Sequence, residues 1–354
     1  MKLIQWKIIQ VIPETADTKT YVLEALQGKP VEWQAGQFLT FIFTHDRDRR
    51  SFGEGGQELR RSYSTSSTPG IDKHISITVK RKVNGEVSRH IFDTWQTGTM
   101  VSSLPPAGLF TITTDASVKR HIYCIAAGSG IVPIFGLIKK ILVQEPLSHI
   151  TLLYQNRDEH HIIYREPLQQ LHALYPQRLT RINLLSNPID HYIKPMRLNN
   201  WLLEYLLAYD HRPQTARPLF YTCGPESFMR MVQFTLRVMG FSEDQLRKEH
   251  FVIEAPRKPA FTMPPHPRQV VLRYGGQTYR FTSTYPHTIL KAAQHQGIEL
   301  PYSCNTGRCG TCTARCHTGV VKMSNNEVLT DADLQQGLVL TCVGYAETDV
   351  ELEM

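Results

Sequence analysis

The stretch CNTGRCGTC, residues 304–312, carries three cysteines separated by four and then by two residues, in a chain of 354 residues with seven cysteines in all. A fourth cysteine, Cys342, follows Cys312 after 29 intervening residues. This is the spacing of plant-type [2Fe-2S] ligands, because two tetrahedral irons bridged by two sulfides need four thiolates. We therefore predict that Cys304, Cys309, Cys312 and Cys342 bind a [2Fe-2S] cluster.

Two alternatives to this site can be weighed from the same residues. Four cysteines also bind zinc, but zinc ribbons usually pair two CxxC knuckles, which the four-residue gap after Cys304 does not provide. Cys316 would join a bacterial-type ligand run only if a further cysteine preceded it at the right spacing, and none does. We expect Cys316 to be a structural thiol on the following strand. Gly307 and Gly310 are expected to let backbone N–H groups turn toward the sulfurs.

The composition is that of a folded protein with more than one domain. A chain of 354 residues is too long to form one compact core of the usual size. A content of 41% hydrophobic and 20% charged residues is ordinary for a globular protein. No stretch approaches roughly 18 uncharged apolar residues, so no membrane span is expected. The start, MKLIQWKIIQ, has polar residues among its apolar ones, unlike a signal peptide, and reads as a first β-strand. We expect a cytoplasmic setting, where clustered cysteines bind metal more often than they form disulfides.

The formal net charge of +7 is unevenly distributed. From Arg268 onward the chain has seven Lys or Arg and eight Asp or Glu, a net of −1, which leaves +8 for residues 1–267. This excess is either a solvated basic surface or an attraction for anionic cofactors or an acidic partner. Nucleic acid is not an expected partner, because no basic run is interleaved with aromatic residues.

Short strands with turn signals fill the first part of the chain and predict an antiparallel barrel. The clearest are QFLTFIF (37–43), HISITVKR (74–81) and GLFTI (108–112). Residues 45–60 are polar and rich in glycine, so we predict a surface loop there and assign it no function.

From about residue 119 strands and helices alternate, which predicts a parallel sheet covered by helices. The last strand of this series is predicted at HFVIE (250–254), and five prolines within residues 255–269 then indicate an inter-domain linker. Beyond it, QVVLRYGGQTYRFTS (269–283) predicts a hairpin, and a short helix at HTILKAAQHQG leads to the thiol loop. The predicted fold class is therefore multidomain: an antiparallel β-barrel, a parallel α/β nucleotide domain and a small α+β domain.

Two segments of the barrel region carry polar groups suited to bind phosphate. RSYS, residues 61–64, places Arg61 beside Tyr63 and Ser64, and an arginine makes a strong charge-assisted contact with a phosphate. Gly85-Glu86-Val87-Ser88 follows a predicted strand that ends at Val79 and Lys80. There the backbone N–H groups and a Ser hydroxyl at a helix start form a natural pyrophosphate site.

A glycine-rich turn opens the alternating region. AAGSGIVP, residues 126–133, follows a strand and starts a helix, and Gly128 and Gly130 permit a tight turn whose N–H groups face phosphate. YQNR (154–157) and TCGP (222–225) end later strands of the same predicted sheet, where ligands of open α/β sheets bind. We predict a site for a phosphate-bearing ligand at these strand ends.

Residues 268–354 resemble plant-type ferredoxin of the β-grasp fold, and RSYS with GEVS resembles the ferredoxin-NADP reductase superfamily. The whole chain is similar to superfamily flavoproteins with a C-terminal plant-type ferredoxin domain, of the phenylacetyl-CoA epoxidase reductase and hybrid-cluster-protein reductase type. The resemblance implies four segments. They are an FAD-binding β-barrel domain at 1–115, an NAD(P)-binding α/β domain at 116–255, a proline-rich linker at 256–267 and a [2Fe-2S] ferredoxin domain at 268–354.

The same resemblance implies roles for individual residues. Arg61 would pair with the flavin phosphate, Tyr63 would pack on the isoalloxazine and Ser64 would hydrogen-bond near N5. Cys223 and Glu249 would act beside the nicotinamide, although a buried inert thiol is the alternative for Cys223. The full predicted cofactor-binding set is Arg61, Ser62, Tyr63, Ser64, Thr78, Val79, Lys80, Gly85, Val87, Ser88, Gly128, Ser129, Gly130, Ile131, Asn156, Arg157, Cys223, Gly224, Pro225 and Phe251.

The expected function is an NAD(P)H-dependent electron-transfer reductase that uses FAD and a [2Fe-2S] cluster. Its expected partner is an electron-acceptor protein of oxygenase, hydroxylase, desaturase or hybrid-cluster type. FAD is expected rather than FMN, because the GEVS turn offers a second phosphate site. Asn187 follows Ser186 where a relative binding NADPH would have arginine, although Lys194 and Arg197 are possible substitutes. The alternative function is a redox-sensing regulatory module without sustained turnover.

Overall fold

The computed structural model describes residues 3–26, 30–46, 51–52, 57–210, 217–251 and 259–354. Contacts divide the chain into two compact units. Residues 3–106 and 110–251 belong to one unit as far as they are described, and the other contains residues 107–109 and 259–354. The predicted domain boundaries stay predictions, and residues 256–258 of the predicted linker lie outside the described residues. Within the described ranges, no helix is long and apolar enough to cross a membrane.

The first unit begins with a seven-stranded antiparallel sheet, which confirms the predicted barrel architecture. The sheet runs in the order β4-β3-β7-β1-β2-β6, with β5 paired to β3, and a bridge between Thr65 and Ile77 joins the end of β5 to β6. Alternating side chains such as Trp6 and Ile8 fill its core. The elements are β1 Ile4–Thr15, β2 Thr18–Ala25, β3 Phe38–Asp46, β4 Ser51–Phe52, β5 Gln57–Ser64, β6 Ile75–Lys80, α1 Glu86–Thr94 and β7 Met100–Ser103.

Two predictions for this sheet are corrected. GLFTI (108–112) forms no strand, because Phe110 and Ile112 are buried in the core beneath the parallel sheet instead of pairing in a ladder. The predicted loop 45–60 is shorter than expected, since β3 and β5 pair as far as His45 and Gln57. Residues 47–50 and 53–56 of that loop lie outside the described residues.

The second sheet of this unit has five parallel strands in the order β10-β9-β8-β11-β12. Every residue of β8 is buried, as expected for a strand covered on both faces. Ile122 and Cys124 pack with helices α2 and α3, whereas Tyr123 and Ile125 pack with α4 and α5. The elements are β8 His121–Ala127, α2 Ile131–Gln144, β9 His149–Asn156, α3 Arg165–Leu174, β10 Leu179–Leu185, α4 Asn200–Ala208, β11 Leu219–Cys223, α5 Glu226–Val238 and β12 Leu246–Glu249.

The final strand of this sheet differs from its prediction. β12 is Leu246–Glu249, four residues upstream of the predicted HFVIE, and residues 252–254 of that segment lie outside the described residues. The register pairs Cys223 with Glu249, so these two strands end at the same level. A charged sequence, LRKE, is acceptable here because β12 is an edge strand.

The second unit contains a mixed five-stranded sheet in the order β14-β13-β19-β15-β17, which agrees with the predicted α+β class. Gly275 and Gly276 have φ of 60° and 77°, as a two-residue type I′ hairpin turn requires, and confirm the predicted hairpin. The elements are β13 Arg268–Tyr274, β14 Gln277–Ser283, α6 Ile289–His295, β15 Thr313–Thr318, β16 Val321–Met323, α7 Asp331–Gln335, β17 Leu338–Leu340, β18 Gly344–Ala346 and β19 Val350–Glu353.

Candidate electron-transfer site

The parallel sheet reverses its strand order between β8 and β11, and we refer to the carboxyl ends of these two strands as the crevice. From β8 the chain proceeds outward to β9 and β10, then returns to place β11 on the other side of β8. Ligands of open α/β sheets bind at the carboxyl ends of strands at such a point. The segment Gly128–Gly130 leaves β8 as a 3₁₀ turn, and Gly224 follows β11 directly. The predicted nucleotide residues therefore lie on the two strands that flank the reversal.

Gly130 allows these strand ends to approach each other closely. An ideal Cβ at Gly130 would lie 2.0 Å from the carbonyl oxygen of Cys223. Gly128 has φ of 53°, the left-handed region that glycine adopts without penalty. Ser129 lies in the same turn, Ile131 begins α2, and Pro225 is the N-cap of α5. Glycine at position 130 is therefore needed for the close approach of these two strand ends.

Asn156 adds an unpaired polar group at the end of β9. Its side chain is buried beside Tyr154, yet neither amide atom has a partner with hydrogen-bond geometry among the described residues. Buried amides are rarely left in this state, so the side chain is suited to bind a ligand. Arg157 follows it and is exposed. These features fit a pyridine nucleotide.

Three predicted catalytic residues come together beside this crevice. The Ser64 hydroxyl, at the end of β5, donates a 2.9 Å hydrogen bond to Oε2 of Glu249, at the end of β12. Cys223 is the register partner of Glu249 on β11. Ser64, Cys223 and Glu249 are all buried. The flavin motif and the nucleotide strands therefore meet at one place within this unit.

Burial determines the protonation states of Glu249 and Cys223. Removal from water raises the pKa of Glu249 to about 8, although the hydrogen bond from Ser64 opposes the shift. Burial, and then the neighbouring charge of Glu249, hold the pKa of Cys223 well above its usual value. At neutral pH Glu249 is therefore mainly a neutral acid and Cys223 is a thiol. The site holds a proton on Glu249 that it can exchange near neutral pH.

The other RSYS residues line β5. Tyr63 packs against Phe41 with ring centroids 6.2 Å apart, and the Ser62 and Thr40 hydroxyls are 2.9 Å apart. Arg61 Nη1 donates a 2.8 Å hydrogen bond to the carbonyl of the preceding residue. These side chains are only partly buried, so they can contact a flavin. Their predicted roles stay predictions.

The predicted pyrophosphate turn has a helix start without a side-chain cap. Gly85 is the N-cap of α1 and supplies no side-chain acceptor to its first N–H groups. The Ser88 hydroxyl already accepts from Lys82 N at 3.1 Å and donates to the Gly85 carbonyl at 3.2 Å, so it stabilises the turn. The Val87 side chain is buried in the barrel core. A helix start without a side-chain cap fits an anionic phosphate.

The remaining predicted cofactor residues lie on or beside β6 and β12. Val79 is buried in the barrel core, and Lys80 Nζ lies 3.3 Å from Asp17 Oδ2. Phe251, two residues after Glu249, is partly exposed outside the strands.

Thr78 takes part in a contact that the sequence did not reveal. Its hydroxyl lies 2.7 Å from that of Thr20 and also accepts a hydrogen bond from the Tyr164 hydroxyl. Tyr164 has φ of 57° and stacks on Phe135 at 4.3 Å. This network joins β6 of the antiparallel sheet to the turn before α3. No motif identifies Tyr164, because its partners are distant in the chain.

The four predicted ligand cysteines converge in the second unit. Cys304, Cys309 and Cys312 lie in the loop between α6 and β15, and Cys342 lies between β17 and β18. Hydrogen bonds from Cys309 and Cys342 lower the pKa of Cys304, so these sulfurs are in contact. Cys312 also has Cys342 as a hydrogen-bonding neighbour, which lowers the pKa of Cys312. A set of four thiols that lie near one another fits a [2Fe-2S] cluster.

Backbone donors face these sulfurs. Cys304 Sγ accepts from the N–H of Thr306 at 3.4 Å and from that of Arg308 at 3.5 Å. Gly307 has φ of 76°, and a Cβ there would lie 2.7 Å from the carbonyl oxygen of Asn325. The predicted inward turn of the N–H groups is therefore present at Cys304, where such hydrogen bonds stabilise a thiolate.

Side chains that sequence reasoning missed hold this loop in place. The buried Arg308 guanidinium makes two 3.0 Å contacts with the Glu327 carboxylate. Asn325 Nδ2 donates to the Thr306 carbonyl at 2.7 Å. Cys316 lies on β15, as expected, and its Sγ contacts the Thr318 carbonyl at 3.3 Å.

Comparison with known proteins places these features in a family. Residues 124–233 match the oxidoreductase NAD-binding domain, and residues 273–347 match the 2Fe-2S iron-sulfur cluster binding domain. The chain is 31% identical over 362 residues to the ferredoxin reductase component of 3-ketosteroid-9-alpha-monooxygenase from Mycobacterium tuberculosis strain H37Rv, covering 98% of this chain and 94% of that one. The chain belongs to the family of oxygenase ferredoxin reductase components. As a member, this reductase carries electrons from NAD(P)H through FAD and a [2Fe-2S] cluster to a redox partner.

Further relatives of the reductase extend over nearly its whole length. A protein of the 1,2-phenylacetyl-CoA epoxidase from Escherichia coli K12 is 30% identical, covering 95% of this chain and 92% of that one. The solved structure of phthalate dioxygenase reductase shares the fold, with a TM-score of 0.57 at 21% identity over 99% of this chain and 98% of that one. An intact self-sufficient cytochrome P450 monooxygenase contains the same fold, with a TM-score of 0.69 at 20% identity over 99% of this chain and 40% of that one.

Proposed function

We propose that this reductase oxidises NAD(P)H at the crevice between β8 and β11 and delivers single electrons to an oxygenase or hydroxylase component. The observation that carries the proposal is the hydrogen bond between Ser64 and Glu249, because it brings the flavin motif to the nucleotide strands. When bound, FAD accepts a hydride and releases electrons one at a time, and the [2Fe-2S] cluster carries them outward. Ser64, Cys223 and Glu249 are the proposed catalytic residues.

The roles of these residues follow from their environment. The turn at Gly128–Gly130 holds the nucleotide phosphates, and Asn156 binds a polar group of the nucleotide with its buried amide. Glu249 and Ser64 orient the flavin edge and exclude water from it, because both side chains are buried. Arg61 pairs with the flavin phosphate and Tyr63 packs against the ring.

The acceptor is an oxygenase-type protein. The relatives that match nearly the full length are named as reductase components of a ketosteroid monooxygenase and a glycine betaine monooxygenase, and as part of an epoxidase. A desaturase or a hybrid-cluster protein has less support, because none of these relatives is named for one. The reductase acts in the cytoplasm, where its four clustered thiols stay reduced before they bind iron.

NADH is the preferred nucleotide. The segment after β10 is bonded through Ser186 N and Asn187 N to the carbonyls of Asn156 and Arg157. Asn187 has no charge to offer a 2′-phosphate, so NADPH gains no ion pair at this position. Comparison of kcat/KM for the two nucleotides tests this preference, and a higher value for NADPH would assign the phosphate contact to Lys194 or Arg197.

Steady-state turnover tests the function directly. The purified holoprotein should oxidise NADH continuously with cytochrome c as a one-electron acceptor, and Ser64→Ala should lower the rate. Ser102→Ala is the control, since that hydroxyl donates to Gln5 on the barrel surface. A single stoichiometric reduction without turnover would instead support a redox sensor.

A further inference from the structure

A buried hydroxyl beside the cluster loop lacks a hydrogen-bond partner among the described residues. The side chain of Thr306 is 3% exposed, and its Oγ1 makes no hydrogen bond within that part of the chain. Both backbone groups of Thr306 are used, since its N–H donates to Cys304 Sγ and its carbonyl accepts from Asn325. A buried hydroxyl without a partner is costly, so the protein has a reason to keep one at this place.

Cys304 Sγ is the acceptor that the backbone of Thr306 already contacts. The N–H of Thr306 lies 3.4 Å from that sulfur, which brings the side chain of the same residue next to it. Iron binding requires the thiolate, and that form only accepts hydrogen bonds.

We propose that the Thr306 hydroxyl donates a hydrogen bond to Cys304 Sγ in the cluster-loaded reductase and raises the reduction potential of the cluster. The inference rests on the proposed function, because it requires that these cysteines bind the cluster. Reduction adds one electron and no proton, so the cluster gains one negative charge. A donor to the sulfur stabilises the more negative, reduced state more strongly, which raises the potential.

The surrounding residues keep the hydroxyl in this position. Asn325 holds the Thr306 carbonyl, and the buried pair of Arg308 and Glu327 fixes the next part of the loop. With the backbone fixed on both sides, the side chain has little freedom to turn elsewhere. Thr306 thus adds a third donor to Cys304, beside the N–H groups of Thr306 and Arg308.

Redox titration of the full-length holoprotein tests the proposal. Thr306→Val keeps the shape and removes the hydroxyl, whereas Thr306→Ser keeps the hydroxyl. Thr313→Val is the matched control, because that hydroxyl donates to the Gly310 carbonyl at 2.7 Å. The fraction of reduced cluster is measured by electron paramagnetic resonance at fixed potentials set with dithionite and mediators. NAD(P)H is not needed for this measurement.

The expected result is a lower midpoint potential for Thr306→Val and unchanged potentials for Thr306→Ser and Thr313→Val. A tenfold fall in the ratio of reduced to oxidised cluster corresponds to about 59 mV for one electron. An unchanged potential in Thr306→Val overturns the proposal. If Thr306→Val loses iron, the smaller Thr306→Ala replaces it, and loss of the cluster from both also overturns it, because a purely tuning bond is not needed for assembly. Wild-type protein without any cluster would instead contradict the proposed function.

Discussion

Ser64 and Glu249 are 185 positions apart in the chain and are joined by a 2.9 Å hydrogen bond between two buried side chains. One lies at the end of a barrel strand and the other at the end of the edge strand of the parallel sheet. Because Glu249 is buried and its pKa is about 8, this contact places a protonated acid in the crevice at neutral pH. Proton exchange at Glu249 is therefore a property of the assembled unit.

Removing the Ser64 hydroxyl should shift the pH dependence of NADH oxidation. Its hydrogen bond favours the Glu249 carboxylate, so Ser64→Ala should move the pKa of Glu249 further above about 8. The rate profile of Ser64→Ala should accordingly show its inflection at higher pH, whereas Glu249→Gln should lack that inflection. The measurement is kcat against pH with ferricyanide. An inflection that persists in Glu249→Gln would assign the titration to another group.

Glu249 should also make stability depend on pH. Its folded pKa is raised to about 8 from an ordinary value of 4.5, so the folded state binds more protons across that interval. The stabilisation is full below the unfolded pKa and is lost as pH rises through the folded pKa, at about 1.4 kcal/mol per pH unit. The free energy of unfolding of Glu249→Gln, relative to that of wild type, should therefore rise by about 2 kcal/mol between about pH 6 and about pH 7.5. Urea unfolding at the two pH values measures this difference. An equal pH slope in both proteins would contradict the assignment.

Gly130→Ala should damage both stability and nucleotide binding. A Cβ at 2.0 Å from the Cys223 carbonyl forces the two strand ends apart, which should cost about 2 kcal/mol and raise the KM for NADH. Gly240→Ala is the control, since φ is 87° but no atom lies within 4 Å of its Cβ. The free energy of unfolding of Gly240→Ala should fall by about 1 kcal/mol, and its KM for NADH should not change. Equal KM values for the two variants would show that the nucleotide does not use the Gly130 turn.

Serine variants should separate the ligand cysteines from Cys316. Cys304→Ser, Cys309→Ser, Cys312→Ser and Cys342→Ser should each lose the cluster, because each removes one of four thiolates. Cys316→Ser should keep it, since this thiol contacts the Thr318 carbonyl. Iron content and visible absorption after anaerobic purification decide the outcome. Cluster loss in Cys316→Ser with retention in one of the other four would reverse the assignment.

Cutting the chain after residue 258 should separate nucleotide oxidation from electron exit. The fragment 1–258 keeps the flavin and nucleotide segments, so it should still reduce ferricyanide with NADH. It should reduce cytochrome c poorly, because the cluster has been removed. Adding the fragment 259–354 should restore part of that rate. Full cytochrome c reduction by the first fragment alone would show that the cluster is not the exit point.

The sequence by itself determined the order of the fold classes and predicted the cluster ligands, because both depend on local patterns. The cysteines from Cys304 to Cys312 lie within nine consecutive residues, and the hairpin at Gly275 and Gly276 depends only on its own turn geometry. Alternation of strands and helices likewise predicts a parallel sheet without knowledge of distant contacts.

Only the tertiary structure decided which apolar and charged residues join a strand or a site. Phe110 and Ile112 look like strand residues, but in the folded protein they are buried in the core beneath the parallel sheet. The charged sequence LRKE forms β12 because an edge strand tolerates charged side chains. The raised pKa of Glu249 and the contact of Tyr164 with Thr78 depend on burial by segments far away in the chain. Such contacts leave no local pattern, because burial is a property of the assembled fold and not of neighbouring residues.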